Sequence, residues 1–276
     1  MHSGVPLALT RAPLRLAVLL VGPALFGLHA QEPKKQYAKG YLNPVDAKEV
    51  LLLIPPAPAT GDPRDIVDQD VFLSTRKLKG SPRWALAIQD ADLSAAGLMK
   101  AFACTSGTET PKEQPALAHL LERVSTDSFT LFGSLKNYYK RKRPFLINEG
   151  PTCVDPVELA KAYDYPSAHS ILGYAAGLVL SEIDPQNASA ILGRARQYGE
   201  SRLFCGVHNA SAVEAGRILG AALFAMLQDV PEFQKDLKAA RSERRAPARS
   251  SCKAEAATLS MSPYTDLHGS AAAPAP

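Results

Sequence analysis

Residues 171–180 read ILGYAAGLVL and residues 218–227 read ILGAALFAML, and these two stretches decide the fold class. Both are apolar on nearly every face of a helix, and at ten residues each they are too short to span a bilayer. We therefore expect two central helices of a soluble bundle. Small residues that would allow close contact between helices are Gly173, Ala175, Ala176, Gly177, Gly220, Ala221 and Ala222.

Helical periodicity continues on both sides of these stretches. From about Ser81 onward the apolar residues recur at intervals of three and four, and the alternation typical of strands is scarce. Pro156, Pro185 and Pro231 each stand just before a helical run, and proline in the first turn is a signal for a helix start. The sequence therefore predicts an all-α fold.

The two ends of the chain differ in composition from its middle. The N-terminal end carries Arg11, Arg15, no acidic residue and an apolar run from Leu16 to Leu28, which is typical of a secretory signal peptide and too short for a membrane anchor. A proline-rich stretch follows, and alanine, proline and serine dominate the C-terminal end. The predicted division is a signal peptide at 1–30, an extended N-terminal arm at 31–64, one domain at 65–244 and a disordered tail at 245–276.

The chain has 276 residues, of which 46% are hydrophobic, with 18 glycines, 4 cysteines and a formal charge of +4. These values fit one full domain or two small ones, and they exclude collagen, a wholly disordered chain and a disulfide-dense miniprotein. Removal of Arg11 and Arg15 with the signal peptide lowers the charge from +4 to +2. The overall charge therefore does not by itself indicate nucleic-acid binding.

Four cysteines remain after removal of the signal peptide, and export favours one or two disulfides among them. They are Cys104, Cys153, Cys205 and Cys252. Three pairings are open, and so is the alternative of free thiols, especially for Cys252. No two of them have the CxxC spacing of a zinc or thioredoxin-like site.

Positive charge is densest in LKNYYKRKRPF, which has five cations in eight residues. At helical spacing Lys136, Lys140 and Arg143 share one face, and Arg141 and Lys142 turn away from it. The run fits a solvated helix end, an anion site or a nucleic-acid surface.

Two further segments carry hydroxyl, arginine and histidine side chains. In DYPSAHS, Ser167 and His169 stand at the start of an apolar helix, where backbone N–H groups hold phosphate and a histidine can donate a proton. In GESRLFCGVH, a turn near Gly206 would let Arg202 and His208 approach one ligand. Arginine suits phosphate oxygens, and a neutral imidazole is a nucleophile. Taken singly, each residue also fits a structural role, as an N-cap, a structural arginine, a surface histidine or a histidine satisfied near a helix end.

Taken in order, K-x6-RP, PS-x-H and SR-x5-H resemble the signature of the type 2 phosphatidic acid phosphatase (PAP2) superfamily. The flanking text YYKRKRPF, YPSAHS and GRARQYGESRLFCGVH resembles that of the bacterial class A non-specific acid phosphatases. This resemblance implies a single-domain helical bundle of the PAP2/haloperoxidase type that needs no metal and no cofactor. It implies that His208 attacks phosphorus and His169 protonates the leaving alcohol. The implied phosphate-binding residues are Lys136, Arg143, Ser167, Ala168 through its N–H, and Arg202.

The sequence departs from the family pattern at two positions. Ala168 replaces a glycine whose backbone N–H is the only group required, so the change is tolerable unless the position needs a positive φ. Ala212 replaces the aspartate of H-x3-D, which orients the nucleophilic imidazole. Glu214, Ser211 or a backbone carbonyl are the candidates for a weaker substitute, and we expect the phosphate site to persist with reduced turnover.

The leading hypothesis is a secreted or periplasmic acid phosphatase that acts on phosphomonoesters and binds inorganic phosphate, with an acidic optimum. The second is a phosphatase-like protein that binds phosphate or a phosphorylated ligand without useful catalysis. A vanadate-dependent haloperoxidase and a nucleic-acid surface on the basic run are the remaining alternatives. We expect no nucleic-acid partner and no membrane anchor after signal cleavage, and a homo-oligomer stays open.

Overall fold

The computed structural model describes residues 1–2, 38–43, 47–247 and 252–264. Apart from residues 1 and 2, the predicted signal peptide lies outside them. Within these ranges the chain forms α-helices and short 3₁₀ turns with no strand, which confirms the all-α prediction. The helices are α1 (Ala47–Leu51), α2 (Pro63–Arg76), α3 (Pro82–Gln89), α4 (Ala95–Ser106), α5 (Pro115–Tyr139), α6 (Pro156–Leu159), α7 (Ala168–Ile183), α8 (Ala188–Phe204), α9 (Ala210–Leu227), α10 (Pro231–Ser242) and α11 (Lys253–Leu259).

Proline and serine define most helix starts. Proline is the first residue of α2, α3, α5, α6 and α10, where its missing N–H leaves no bond unmade. The hydroxyls of Ser81 and Ser94 cap α3 and α4 by accepting the N–H groups of Trp84 and Gly97. The predicted start at Pro185 opens a 3₁₀ turn, and α8 follows directly from Ala188.

The two apolar stretches lie in α7 and α9, at the centre of the bundle as predicted. By length and composition α9 is apolar enough to cross a membrane, and half of it is buried within the structure. A side chain at Gly220 would place its Cβ 2.5 Å from the carbonyl oxygen of Ile171, and one at Gly216 would lie 2.6 Å from that of Ser167. Glycine at these positions therefore lets α9 approach the start of α7, where functional residues are predicted.

The described part of the N-terminal arm is attached to α5 and α10. The backbone N–H groups of Tyr41 and Leu42 donate to the carboxylate of Asp127 at 2.9 and 3.1 Å. The Tyr41 hydroxyl donates to Asp236, and the guanidinium of Arg123 lies 3.7 Å from the centre of the Tyr41 ring. These contacts fix the chain ahead of α1 on the domain surface.

The C-terminal segment differs from the predicted disordered tail. Cys252 forms a disulfide with Cys104, and α11 follows it directly. Glu255 lies 3.3 Å from the guanidinium of Arg194, and Gln197 donates to the carbonyl of Leu259. The disulfide attaches residues 252–264 to α4 and the polar contacts attach them to α8, although few of their side chains are large and apolar.

The second disulfide joins Cys153 to Cys205, so the two bridges are nested, with the second inside the first. The alternative of free thiols is therefore wrong, since all four cysteines are paired. The N–H of Cys153 also donates to the carbonyl of Cys205 at 2.9 Å. Together these bonds attach the loop that precedes α6 to the turn that joins α8 and α9.

Candidate active site

The predicted site residues come from helix ends and from the loops that adjoin them. Lys136 lies in the last turn of α5, and its Nζ donates to the carbonyl oxygens of Tyr163 at 2.7 Å and Asp164 at 3.3 Å. Burial, and then the neighbouring Arg143, lowers the pKa of Lys136 to about 7. The direct partners of the ammonium are neutral carbonyl oxygens. A bound anion would therefore raise the pKa of Lys136 and keep its side chain charged at higher pH.

The predicted common face of Lys136, Lys140 and Arg143 is wrong, because α5 ends at Tyr139. Lys140 has a left-handed backbone with φ of 48° and an exposed side chain. Arg143 follows the helix and is buried, and its guanidinium donates to the carbonyl oxygens of nearby loops. The expectation that Arg141 turns away is also wrong, since its side chain is 9% exposed and faces buried carboxylates.

His208 lies in the turn between α8 and α9, and both of its ring nitrogens have partners. Nδ1 lies 2.9 Å from Oδ1 of Asp164. Nη1 of Arg143 lies 3.1 Å from Nε2. Because arginine only donates, Nε2 must accept, and Nδ1 therefore carries the proton that goes to Asp164. This tautomer leaves a lone pair on Nε2.

Asp164 is wholly buried at the N-terminus of α9. Its carboxylate accepts the backbone N–H and the side-chain amide N–H of Asn209, at 3.2 and 2.8 Å. Nη1 of Arg141 lies 3.5 Å from it. Burial raises the pKa of Asp164, whereas Arg141, Asn209 and Lys136 oppose that rise. Every one of these contacts is a donor or a cation, which suits the ionised form.

Ser167 and Ala168 form the start of α7, as predicted. Ser167 is the N-cap, and its oxygen accepts from the backbone N–H of Ser170 at 3.3 Å and from the Ser170 hydroxyl at 3.0 Å. Both contacts use the Ser167 oxygen as acceptor, which leaves its hydroxyl proton for a ligand. Ala168 is the first helical residue and does not have a positive φ, so the position does not require glycine.

His169 lies in the first turn of α7 against Tyr198, with the ring centres 6.4 Å apart. Its Nε2 lies 3.0 Å from the carbonyl oxygen of Ala91. A carbonyl only accepts, so Nε2 carries the proton, and Nδ1 is the nitrogen left for other chemistry. Burial and the charge of Arg202 lower the pKa of His169 well below 6.5. Burial and the cations around His208 lower the pKa of that histidine in the same way.

Arg202, in the last turn of α8, is fully buried, and its Nε and Nη1 have no hydrogen-bond partner among the described residues. Burial lowers the pKa of Arg202 to about 10. Buried polar nitrogens are almost always paired in folded proteins, and an unpaired buried cation is costly. The charge of Arg202 acts on both His169 and His208, which places the three side chains in one neighbourhood. A buried cation with unpaired nitrogens near two histidines can accept an anion.

The structure corrects the expectation of a substitute carboxylate close to Ala212. Glu214 is exposed and pairs with Arg217, and Ser211 bonds Asp68 and Arg141 rather than the imidazole of His208. Asp164 contacts the imidazole instead. Sequence reasoning missed both Asp164 and Arg141, although each stood inside a quoted motif. An acidic residue three positions before Ser167, in a chain lacking the family aspartate, was the available signal.

Comparison with known proteins gives a consistent result. Residues 119–234, which include every predicted site residue, match the PAP2 superfamily model. The chain is 41% identical over 196 residues to an acid phosphatase of Zymomonas mobilis, covering 70% of this chain and 74% of that one. It is 37% identical to the non-specific acid phosphatase of Salmonella typhimurium (73% and 82% covered) and 39% identical to that of Providencia stuartii (74% and 84% covered). The chain therefore belongs to the PAP2 superfamily, in the family of the bacterial non-specific acid phosphatases.

Proposed function

We propose that the protein is an exported acid phosphatase that hydrolyses phosphomonoesters in two steps through a phosphohistidine on His208. The observation that carries this proposal is the buried guanidinium of Arg202 with two unpaired nitrogens beside two histidines. A phosphate group supplies the missing acceptors, and its charge offsets three cations. These are Lys136, Arg143 and Arg202. The Ser167 hydroxyl and the N–H of Ala168 complete the proposed binding site.

In the first step, the Nε2 lone pair of His208 attacks phosphorus and forms a P–N bond. The P–O bond to the alcohol breaks, and its electron pair goes to the leaving oxygen. That oxygen takes a proton from Nδ1 of His169, whose Nε2 proton stays with the carbonyl of Ala91. The cations stabilise the charge on the equatorial oxygens, which is the main requirement of phosphoryl transfer.

In the second step, water attacks the phosphorus of the phosphohistidine. Nδ1 of His169 takes a proton from that water, the P–N bond breaks, and its electron pair returns to Nε2 of His208. Inorganic phosphate leaves and the enzyme is restored. Apart from the attacking water, every group that acts in these two steps belongs to this protein, and we propose no metal ion or cofactor.

The pKa shifts support activity at acidic pH. Because burial lowers the pKa of His208 well below 6.5, its Nε2 lone pair persists into acidic solution. A bound phosphate dianion beside His169 offsets the cation that depresses the pKa of that histidine, so the substrate itself favours the protonated acid. We therefore expect kcat/KM to stay high well below pH 6.5.

Export to the periplasm or the medium is part of the proposal. The signal-peptide pattern at 1–30 and two disulfides that use all four cysteines both suit an oxidising compartment.

Hydrolysis of p-nitrophenyl phosphate by the mature protein, measured from about pH 4 to about pH 8, tests the proposed function. We expect turnover that His208→Ala abolishes, and a phosphorylated protein trapped by acid quench that is absent from the same variant. An inactive parent that still binds phosphate would instead support the binding protein considered above. Turnover that persists in His208→Ala would refute the assigned nucleophile.

A further inference from the structure

We propose that Asp164 is the positioning residue of His208, and that this chain carries before α7 the orienting carboxylate that the family pattern has at position 212. The inference rests on the proposed function only in taking His208 as the nucleophile. If His208 has its orienting carboxylate, the turnover need not be reduced by Ala212, as the sequence alone led us to expect.

The first argument is the tautomer of His208. Nδ1 donates to Asp164 at 2.9 Å, and Arg143 donates to Nε2 at 3.1 Å, so the nitrogen that would attack phosphorus is the unprotonated one. A carboxylate on Nδ1 also stabilises the positive imidazole that forms when Nε2 bonds to phosphorus. No other acidic side chain among the described residues contacts this ring.

The second argument is that a carboxylate at position 164 and one at position 212 would both lie at the N-terminus of α9. The Asp164 carboxylate accepts two N–H groups of Asn209, the N-cap of α9, and position 212 lies in the first turn of that helix. The N–H of Ser167 donates to the carbonyl of Ala212 at 3.0 Å, which joins the two segments directly. A negative charge from either position would therefore lie at the N-terminus of α9, where the helix dipole favours it.

The third argument is the charge balance behind Asp164. Arg141 lies 3.5 Å from the Asp164 carboxylate and is itself held by Asp65 at 2.9 Å, Asp68 at 2.8 Å and the Ser211 hydroxyl at 2.6 Å. A buried carboxylate needs such a fixed cation to stay ionised. Arg141 is thus a buried counter-charge for Asp164 and not part of a solvated basic surface.

The proposal changes the sign of the effect expected from restoring the family aspartate. If position 212 were merely vacant, Ala212→Asp would raise activity. With Asp164 present, a second carboxylate enters a buried helix end that is already occupied, because Ala212 is fully buried. We therefore expect Ala212→Asp to lower kcat, since two neighbouring carboxylates cannot both ionise without strain.

The test measures kcat and KM for p-nitrophenyl phosphate and the inhibition constant of inorganic phosphate in the parent, Asp164→Ala, Asp164→Asn, Ala212→Asp and Asp164→Ala/Ala212→Asp. We expect both single changes at 164 to lower kcat by between about 10²- and 10⁴-fold, with phosphate inhibition changed less than about threefold. The double variant should recover at least about tenfold over Asp164→Ala. A rise in kcat in Ala212→Asp, parent-like kcat in both changes at 164, or a folded double variant with no recovery would overturn the proposal.

A second readout does not depend on turnover. The imidazole ¹⁵N shifts of His208 should report a proton on Nδ1 in the parent and a mixture of tautomers in Asp164→Ala and Asp164→Asn. Asp127→Ala is the matched control, because Asp127 is also buried and accepts two backbone N–H groups, from Tyr41 and Leu42. It should lower stability without changing the His208 signals. An unchanged tautomer in folded variants at 164 would overturn the positioning role, whereas an inactive parent with the expected tautomers would refute only the proposed function.

Discussion

Replacing Arg202 with methionine should make the phosphate-free protein more stable. Burial lowers the pKa of Arg202 to about 10, well below that of a free guanidinium. Each unit of pKa corresponds to about 1.4 kcal/mol, so the charged guanidinium costs the folded state about 3 kcal/mol. The cost is fully present below pH 10, where Arg202 is charged in both the folded and the unfolded protein, and it disappears as the pH rises to the pKa of arginine in the unfolded chain. Arg202→Met removes the charge and keeps an unbranched apolar stem.

The expected gain is between about 2 and 3 kcal/mol, which raises Tm by between about 5 and 10 °C for a protein of this size. Calorimetry in phosphate-free buffer at neutral pH measures it. Adding phosphate at about 100 times its Kd should stabilise the parent by about 2.7 kcal/mol and leave the variant unchanged. Hydrolysis should fall below detection in the variant.

Arg83→Met is the matched control. Arg83 is equally buried, and burial lowers its pKa to about 10 as well. Its two terminal nitrogens, however, donate to the Ser201 hydroxyl at 2.8 Å and to the Gln197 carbonyl at 2.9 Å. Arg83→Met relieves the same burial cost but also loses these two bonds, each worth between about 1.5 and 3 kcal/mol for a charged donor, so its net gain in stability should be close to zero or negative. If Arg202→Met stabilises the protein no more than Arg83→Met does, Arg202 is satisfied by the protein and the anion-site argument fails.

Three further predictions concern other parts of the molecule. In the parent, the phosphate inhibition constant should rise above pH 7, because Lys136 loses its proton there. In Lys136→Arg the constant should rise less steeply over the same range, because arginine stays charged. The same pH dependence of the constant in both proteins would contradict the lowered pKa of Lys136. Replacing Cys153 and Cys205 with serine should reduce kcat, because Cys205 lies between Arg202 and His208 in the chain. Replacing Cys104 and Cys252 should lower Tm and leave kcat unchanged. Loss of either bridge should lower the free energy of unfolding, measured in urea, by between about 2 and 5 kcal/mol. Gly220→Ala should lower the free energy of unfolding by between about 1 and 3 kcal/mol, since its Cβ would lie 2.5 Å from a carbonyl oxygen of α7, and an unchanged urea midpoint would show that the helices separate freely.

The fold class could be predicted from sequence because helices α7 and α9 are apolar on nearly every face. The positions of the motif residues were also accessible, since Ser167 is the N-cap of α7 and His169 lies in its first turn. The path of the chain after α5 could not be predicted from the sequence. A left-handed residue at Lys140 ends the helix, and helical spacing carried past that point assigns Arg141 and Arg143 to the wrong surroundings.

The orienting carboxylate was missed because the contact joins distant parts of the chain. Asp164 and His208 are 44 residues apart, and the partners of Arg141 come from α2 and α9. A search for a substitute near Ala212 considers only residues close in sequence, whereas the structure brings the carboxylate from the segment before α7. The C-terminal helix escaped for a similar reason, since its attachment depends on Cys104 and Arg194 rather than on its own composition.

If the chain is exported N-terminus first, as proposed, its nested disulfides do not match the order in which its cysteines emerge. Cys104 would then cross the membrane first, and the next thiol to follow it would be Cys153, which is not its partner. Pairing in order of emergence would give Cys104–Cys153 and would leave Cys205 and Cys252 to each other, with neither native bridge formed. The correct partner of Cys104 arrives 148 residues later. Rapid oxidation in order of emergence would therefore work against this fold, and we expect its yield in an oxidising compartment to rise when a thiol–disulfide isomerase is present to reopen early bridges.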